Sequence, residues 1–291
     1  MEHIFNEACL LRLSISTWSG VKKLDPSIME RLGESEWLKG RKVLIDPEYL
    51  SAIKASAQKG RCLIKRRALP FPMPGLNLVP KDSIIDIENQ LDDTKHEFNA
   101  NVRLFLRNYA QARHEAQEAL GSLFDPLDYP IDPSSKFNFA WQYIQLSMPG
   151  QHQVLSPKLY EREREKFQNL IEETREQAIA ALRTEFAELV SHLTDRLGTN
   201  GNEKPKILRS SVLENLNEFL DGFNARNLFQ DNELQRLVEN TRSLVNGIDA
   251  ELLRDNQALR ESIRHDMEQV RVEVDQAITD LPRRRIHLEA A

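Results

Sequence analysis

Residues 84–123 read IIDIENQLDDTKHEFNANVRLFLRNYAQARHEAQEALGSL, and the reading of this stretch decides the fold. Ile84, Leu91, Phe98, Phe105, Ala112 and Ala119 follow one another at intervals of seven. Val102, Tyr109, Ala116 and Leu123 form a second column four residues on. A seven-residue repeat keeps apolar groups on one stripe of a long helix, and such a stripe is expected to face another helix. The helix is predicted to start near Asp82 or Ser83 and to run to about Leu120, with Gly121 marking its end.

Upstream, Leu69-Pro70-Phe71-Pro72-Met73-Pro74-Gly75-Leu76-Asn77-Leu78-Val79-Pro80 cannot be helical, because each proline restricts the backbone and deletes an N–H donor. It reads as an extended connector, apolar enough to pack against something. Before it, Asp46-Pro47 opens a helix by N-capping. That helix buries Leu50, Ile53 and Ala57 and stops either at Gly60 or at about Arg67; periodicity does not choose between them. Leu11, Leu13, Ile15 and Thr17 alternate as a short strand does. Lys42-Val43-Leu44-Ile45 is a second short apolar run.

Downstream, 123–130 is a turn region. Phe137, Phe139, Trp141, Tyr143 and Ile144 form an aromatic cluster, a strand or a short capping segment, closed by Met148-Pro149-Gly150. A second long helix is predicted after Ser156-Pro157, carrying Ile171, Ala178, Leu182, Phe186, Leu189, Leu193 and Leu197. GTNGNEKP at 198–205 is a flexible break suited to a hairpin loop. Three more helices are expected: Ile207 to Phe223, Asn232 to Asn246, and Ile248 to Leu281. The fold class is therefore mainly α. A small N-terminal α+β module over 1–80 carries the proline-rich connector. Long antiparallel coiled-coil-like helices over 81–291 follow, with an aromatic insertion at about 124–155 and the break at about 198–205.

Composition narrows the classes. Charged residues make up 29% and apolar ones 40% of the 291 residues, which suits long solvated helices. The formal net charge of −6 speaks against a general nucleic-acid coat. The N-terminus has no basic n-region, so no signal peptide is expected. No apolar run approaches a membrane span of roughly 20 residues. The expected location is cytoplasmic. Cys9 and Cys62 have no CxxC partner and read as buried, reduced thiols.

Charge is uneven along the chain. From Arg41 to Pro80 there are eight basic and two acidic residues, and from Lys81 to Leu155 six basic and eleven acidic. This basic head holds Lys54, Lys59, Arg61, Lys65, Arg66 and Arg67. On an uninterrupted helix Lys54, Arg61 and Lys65 share a face. Such a cluster can meet nucleic-acid phosphates, in which case binding falls steeply with salt. It equally makes a solvated face or a dock for acidic helices. Few aromatic residues lie near it for base stacking; Tyr49 and Phe71 flank it at a distance. Arg283-Arg284-Arg285 reads as a complement to a helix C-terminus or as a partner-docking tail.

Catalytic constellations are missing from the sequence. Asp93 with His96 and Glu188 with His192 are the nearest approach to a bundle metal site, and neither is Glu-x-x-His. His3, His114, His152, His265 and His287 are isolated. Neither GxxxxGK[ST] nor GxGxxG occurs, and no Gly-x-Ser-x-Gly or HExxH. No cofactor and no enzyme activity are expected. The aromatic cluster is read as a plug in preference to a ligand cage, and Trp18 and Trp37 as anchors of the N-terminal module.

Several local patterns together resemble a family of unknown function found in bacteria, phages and integrative mobile elements. They are Leu13-Ser14-Ile15-Ser16-Thr17-Trp18-Ser19-Gly20 with Lys22-Lys23-Leu24, Gly40-Arg41-Lys42-Val43-Leu44-Ile45-Asp46-Pro47, Pro70-Phe71, Gly75, and Val79-Pro80 leading to Phe98, Val102, Phe105 and Tyr109. The likeness covers about the first half of the chain. It implies a helical protein encoded near a MoxR-type AAA+ ATPase and a von Willebrand A-domain protein. It supplies no catalytic residues. The expected function is thus a non-enzymatic helical interaction or accessory protein, an adaptor or client of such an ATPase, with a protein partner or self-association. The alternatives are a nucleic-acid-binding accessory protein using the basic head, and a phage structural or assembly component.

Overall fold

Apolar spacing, caps and glycine stops place the helices almost where the sequence puts them. The computed structural model describes residues 4–24, 39–146, 156–199 and 205–281. Its helices are α1 (Ile4–Glu7), α2 (Glu48–Arg67), α3 (Ile84–Leu120), α4 (Pro157–Leu197), α5 (Ser210–Arg226), α6 (Asn232–Val245), α7 (Ala250–Asp255) and α8 (Gln257–Thr279). Its strands are β1 (Ala8–Ser16), β2 (Val21–Lys23), β3 (Arg41–Val43), β4 (Leu69–Pro70), β5 (Leu76–Pro80) and β6 (Asn138–Ile144). The fold is mainly α with a small sheet module near the N-terminus. Trp37, Met148 to Gly150, His3, His152, His287 and Arg283 to Arg285 lie outside the described residues, as does most of the 198–205 break.

Contacts group the chain into two units. One comprises Met1–Leu10, Arg66–Ser83 and Ile144–Ala291; the other comprises Leu11–Lys65 and Ile84–Tyr143. This grouping is by packing, whereas the division at residue 80 is by composition. The four-stranded sheet has the order β4-β5-β1-β6, and β2 with β3 forms a separate two-stranded ribbon.

In the second unit α3 buries Ile87, Leu91, Thr94, Phe98, Val102, Phe105, Ala112 and Ala116, steps of three, four or seven. The stripe leaves the core after Ala116. Ala119 is exposed, and so is Leu123, because the helix ends at Leu120 and Gly121 turns the chain at φ +53°. Aromatic rings cover the stripe. Phe98 meets Phe139 at 5.5 Å between centroids, and Phe105 meets Phe137 at 5.6 Å and Trp18 at 6.2 Å. Asn101 Nδ2 of α3 donates to the Ala52 carbonyl of α2 at 3.2 Å. Helix α2 passes straight through Gly60, and the glycine has a packing reason: a Cβ there would stand 2.7 Å from Phe139 Cζ. The aromatic cluster is strand β6, and its Phe139 fills this gap.

In the first unit the prolines shape a hairpin in place of the expected connector. Leu69 pairs with Leu78 and Pro70 with Asn77. Gly75 supplies the positive φ of +78°, and Leu76 N donates to Met73 O at 3.3 Å. Leu69, Phe71 and Leu78 are buried among residues of α4 to α8. Helices α4 and α8 run antiparallel. Arg260 near the start of α8 reaches the Leu197 carbonyl at the end of α4, while Arg183 in α4 reaches the Ala277 carbonyl near the end of α8. The single helix expected from Ile248 to Leu281 is broken at Asn256, whose side chain accepts from Leu259 N at 3.0 Å and starts a new helix there. Across the 198–205 break, Thr199 bridges to Pro205 and Lys206 N donates to Gly198 O at 3.1 Å.

Candidate functional site

The six cations of the basic head sit on one helix, yet most are occupied. Lys59 pairs with Glu97 at 2.7 Å, and Arg61 donates to the Ile15 carbonyl at 3.2 Å. Arg66 pairs with Glu218 at 2.9 Å, with Arg67 3.8 Å from the same carboxylate. Lys54 and Lys65 are exposed and have no carboxylate within ion-pair range among the described residues. The helix face that sequence spacing assembles is real as geometry, but its free charge is concentrated in these two lysines.

Two ion clusters that sequence reading did not find organise the units. In the second unit, β2 and β3 align Val21 with Val43, Lys22 with Lys42 and Lys23 with Arg41. Asp128, its side chain sealed from water, forms ion pairs with both Lys22 and Lys42. Burial works against its charge, but the two lysines outweigh that and hold the carboxyl below the usual carboxylate range. Lys42 also donates to the Leu123 carbonyl at 3.0 Å. Asp128 sits in a loop of short helical turns. Asp125 caps one turn by accepting from Leu127 N at 2.9 Å, and Asp132 caps the next through Ser134 N at 2.9 Å.

In the first unit, buried Arg183 forks onto Asp231, with Nε to Oδ2 at 2.7 Å and an Nη to Oδ1 at 3.0 Å. It also reaches Glu233 at 2.9 Å. Asp231 is buried, which raises its pKa, yet Arg183 and the Leu234 N–H bring it below the usual range. Arg183 floors a cleft of about 550 Å³ between α4, the 229–233 turn and the end of α8. Glu172, Glu176 and Asp280 stand on its walls. Buried Arg260 has no carboxylate within ion-pair range among the described residues; it donates to the carbonyls of Leu197, Arg196 and Lys206 at 2.6 to 2.9 Å. Desolvation lowers its pKa. A guanidinium held by the carbonyls at the end of a 41-residue helix sits at the negative end of that helix dipole.

The remaining candidates have structural surroundings. Trp18 is buried against Phe105 and Tyr109 of α3, outside the 1–80 module that it was expected to anchor. Trp141 donates to Glu88 at 2.7 Å and has Lys95 over its ring at 4.9 Å. His96 bonds the Asp92 carbonyl at 2.8 Å, and His192 lies 3.4 Å from Arg196. Among the described residues no group of three His, Cys, Asp or Glu could hold a metal. Cys9 and Cys62 are free thiols, only half-buried, and burial pushes the Cys9 thiol up. Among the described residues no helix is long and apolar enough to cross a membrane.

Residues 5–251 match the model of a family described as "Protein of unknown function (DUF3150)". No curated protein and no solved structure matches the chain.

Proposed function

Because the chain belongs to this DUF3150 family, whose description assigns no chemistry, we propose a function from its own side chains: a non-enzymatic helical interaction or accessory protein. The observation that carries the reading is the loop between α3 and β6. It is held in place by its Asp125 and Asp132 caps, by Asp128, and by the Tyr109 hydroxyl donating to the Pro130 carbonyl at 3.1 Å. On this braced loop Leu127 is 90% exposed, and Ile131 and Leu123 are also exposed. Neighbouring apolar side chains displayed by a rigid loop favour a surface that another protein covers. The resemblance to proteins encoded beside a MoxR-type AAA+ ATPase supplies the partner: the chain acts as an adaptor or client of such a ring in the cytoplasm.

Co-expression with a MoxR-type AAA+ ATPase tests this. The tagged chain is expected to co-purify with the ATPase, and Leu127→Asp with Ile131→Asp to lose it. A chain that sediments as a monomer, indifferent to the ATPase, overturns the reading. The nucleic-acid alternative rests on Lys54 and Lys65, since Lys59, Arg61, Arg66 and Arg67 have acceptors within the chain. It predicts a low-salt gel shift that Lys65→Glu with Lys54→Glu abolishes.

A further inference from the structure

The β2–β3 ribbon carries four cations in two opposed pairs, and among the described residues only one pair has its anion. Residues directly opposite in an antiparallel pair share a face, and successive residues alternate between faces. Lys22 and Lys42 therefore occupy one face, and Val21, Val43, Lys23 and Arg41 the other. Like charges set directly opposite repel. On the inner face the repulsion is relieved, because Asp128 stands between Lys22 and Lys42 and pairs with both. On the outer face Lys23 and Arg41 oppose each other with no carboxylate within ion-pair range among the described residues. Exposed Lys39 lies two residues before Arg41 and adds to the field. Val21 and Val43, 37% and 47% exposed, stand beside the two cations as an apolar step.

We propose that this outer face is a docking surface for an acidic segment of a partner protein, one of whose carboxylates bridges Lys23 and Arg41 as Asp128 bridges Lys22 and Lys42. The inner face shows what the ribbon accepts: a single carboxylate between two opposed cations. A partner strand with an acidic and a small apolar residue two positions apart presents both on one face and meets both features of the outer face, its acids on the cations and its apolar groups on the valines. Phosphate fits the charge but leaves the valines uncovered. Among the described residues the ribbon is two strands wide, so each strand has an edge that an extended segment can join. This surface rests on the interaction reading above and gives the partner its chemistry.

The test is fluorescence anisotropy of the full chain with a labelled (Glu-Ser-Val-Ser)3 peptide, whose acids and valines share one face when extended. Saturable binding that weakens with added salt is expected. Lys23→Glu with Arg41→Glu is expected to weaken it by at least ~tenfold, and Lys54→Glu with Lys65→Glu to change it less than about twofold. A (Lys-Ser-Val-Ser)3 peptide is expected to prefer the Lys23→Glu, Arg41→Glu protein over the parent. Circular dichroism checks that the variants fold; if the double reversal does not, Lys23→Gln with Arg41→Gln replaces it. Undiminished binding by the reversed ribbon overturns the proposal. So does binding of an oligonucleotide duplex or inorganic phosphate in the absence of peptide binding. Loss of the peptide result with ATPase co-purification intact sinks this surface alone, whereas the reverse sinks the ATPase reading alone.

Discussion

Arg183 illustrates how a single charge is made tolerable inside a helical bundle. Its guanidinium is satisfied by Asp231, Glu233 and the Ala277 carbonyl, so removal of the arginine strands a buried carboxylate. Arg183→Met is expected to cost about 3–5 kcal/mol in urea unfolding. Arg183→Met with Asp231→Asn should recover part of that loss, because the stranded charge goes with it. Asp128 obeys the opposite logic of pH. Its folded pKa is depressed, so the stability it contributes is fully present above the ordinary carboxylate pKa of about 3.9. That contribution is lost as pH falls through the folded value. Asp128→Asn is expected to lower stability by about 1 kcal/mol at neutral pH and to leave a shallower acid limb in a pH series of melts. Neither residue announces itself in sequence: Asp128 lies 106 positions from Lys22, and nothing short-range links them. Arg183 did leave a trace, since it falls on the apolar side of α4 beside Leu182 and Phe186, where a charge must find a buried partner.

The long helices were legible because their apolar period runs without glycine or proline from Ile84 to Leu120 and, after Pro157, to Leu197. The failures have local causes. The 69–80 hairpin has strands too short to show a period, and its prolines hide the pairing of Leu69 with Leu78. The break at Asn256 is invisible to periodicity, because Leu252 and Leu259 stay seven residues apart across it. Gly60 was ambiguous for the same reason that it is informative. A glycine inside a helix is a stop signal or a packing notch, and only the position of Phe139 decides. Gly60→Ala is expected to destabilise by about 1–3 kcal/mol through overpacking, despite the better helix propensity of alanine. Adding Phe139→Leu should relieve the clash and shrink that loss, and a double-mutant cycle by chemical denaturation reads the coupling.

At the scale of the molecule, sequence order and packing order differ. Each compact unit draws on segments from both sides of residue 80, and β1 and α2 each contribute residues to both units. Composition changes sharply near that residue, which is why a basic head and an acidic helical body are visible in the sequence. Fragments 1–80 and 81–291 expressed separately are each expected to lack a cooperative melt, and to regain one when mixed during refolding. A sharp independent transition in either fragment would count against this division of the packing.

The three carbonyls gathered by Arg260 have a practical use. Two belong to the last turn of α4 and one to Lys206, so one side chain staples both banks of the stretch between Thr199 and Pro205. Lengthening a segment whose ends are already fastened costs only about 0.6 kcal/mol per doubling. That makes Arg260 the residue to leave untouched in any version of the chain relabelled or lengthened between these two banks.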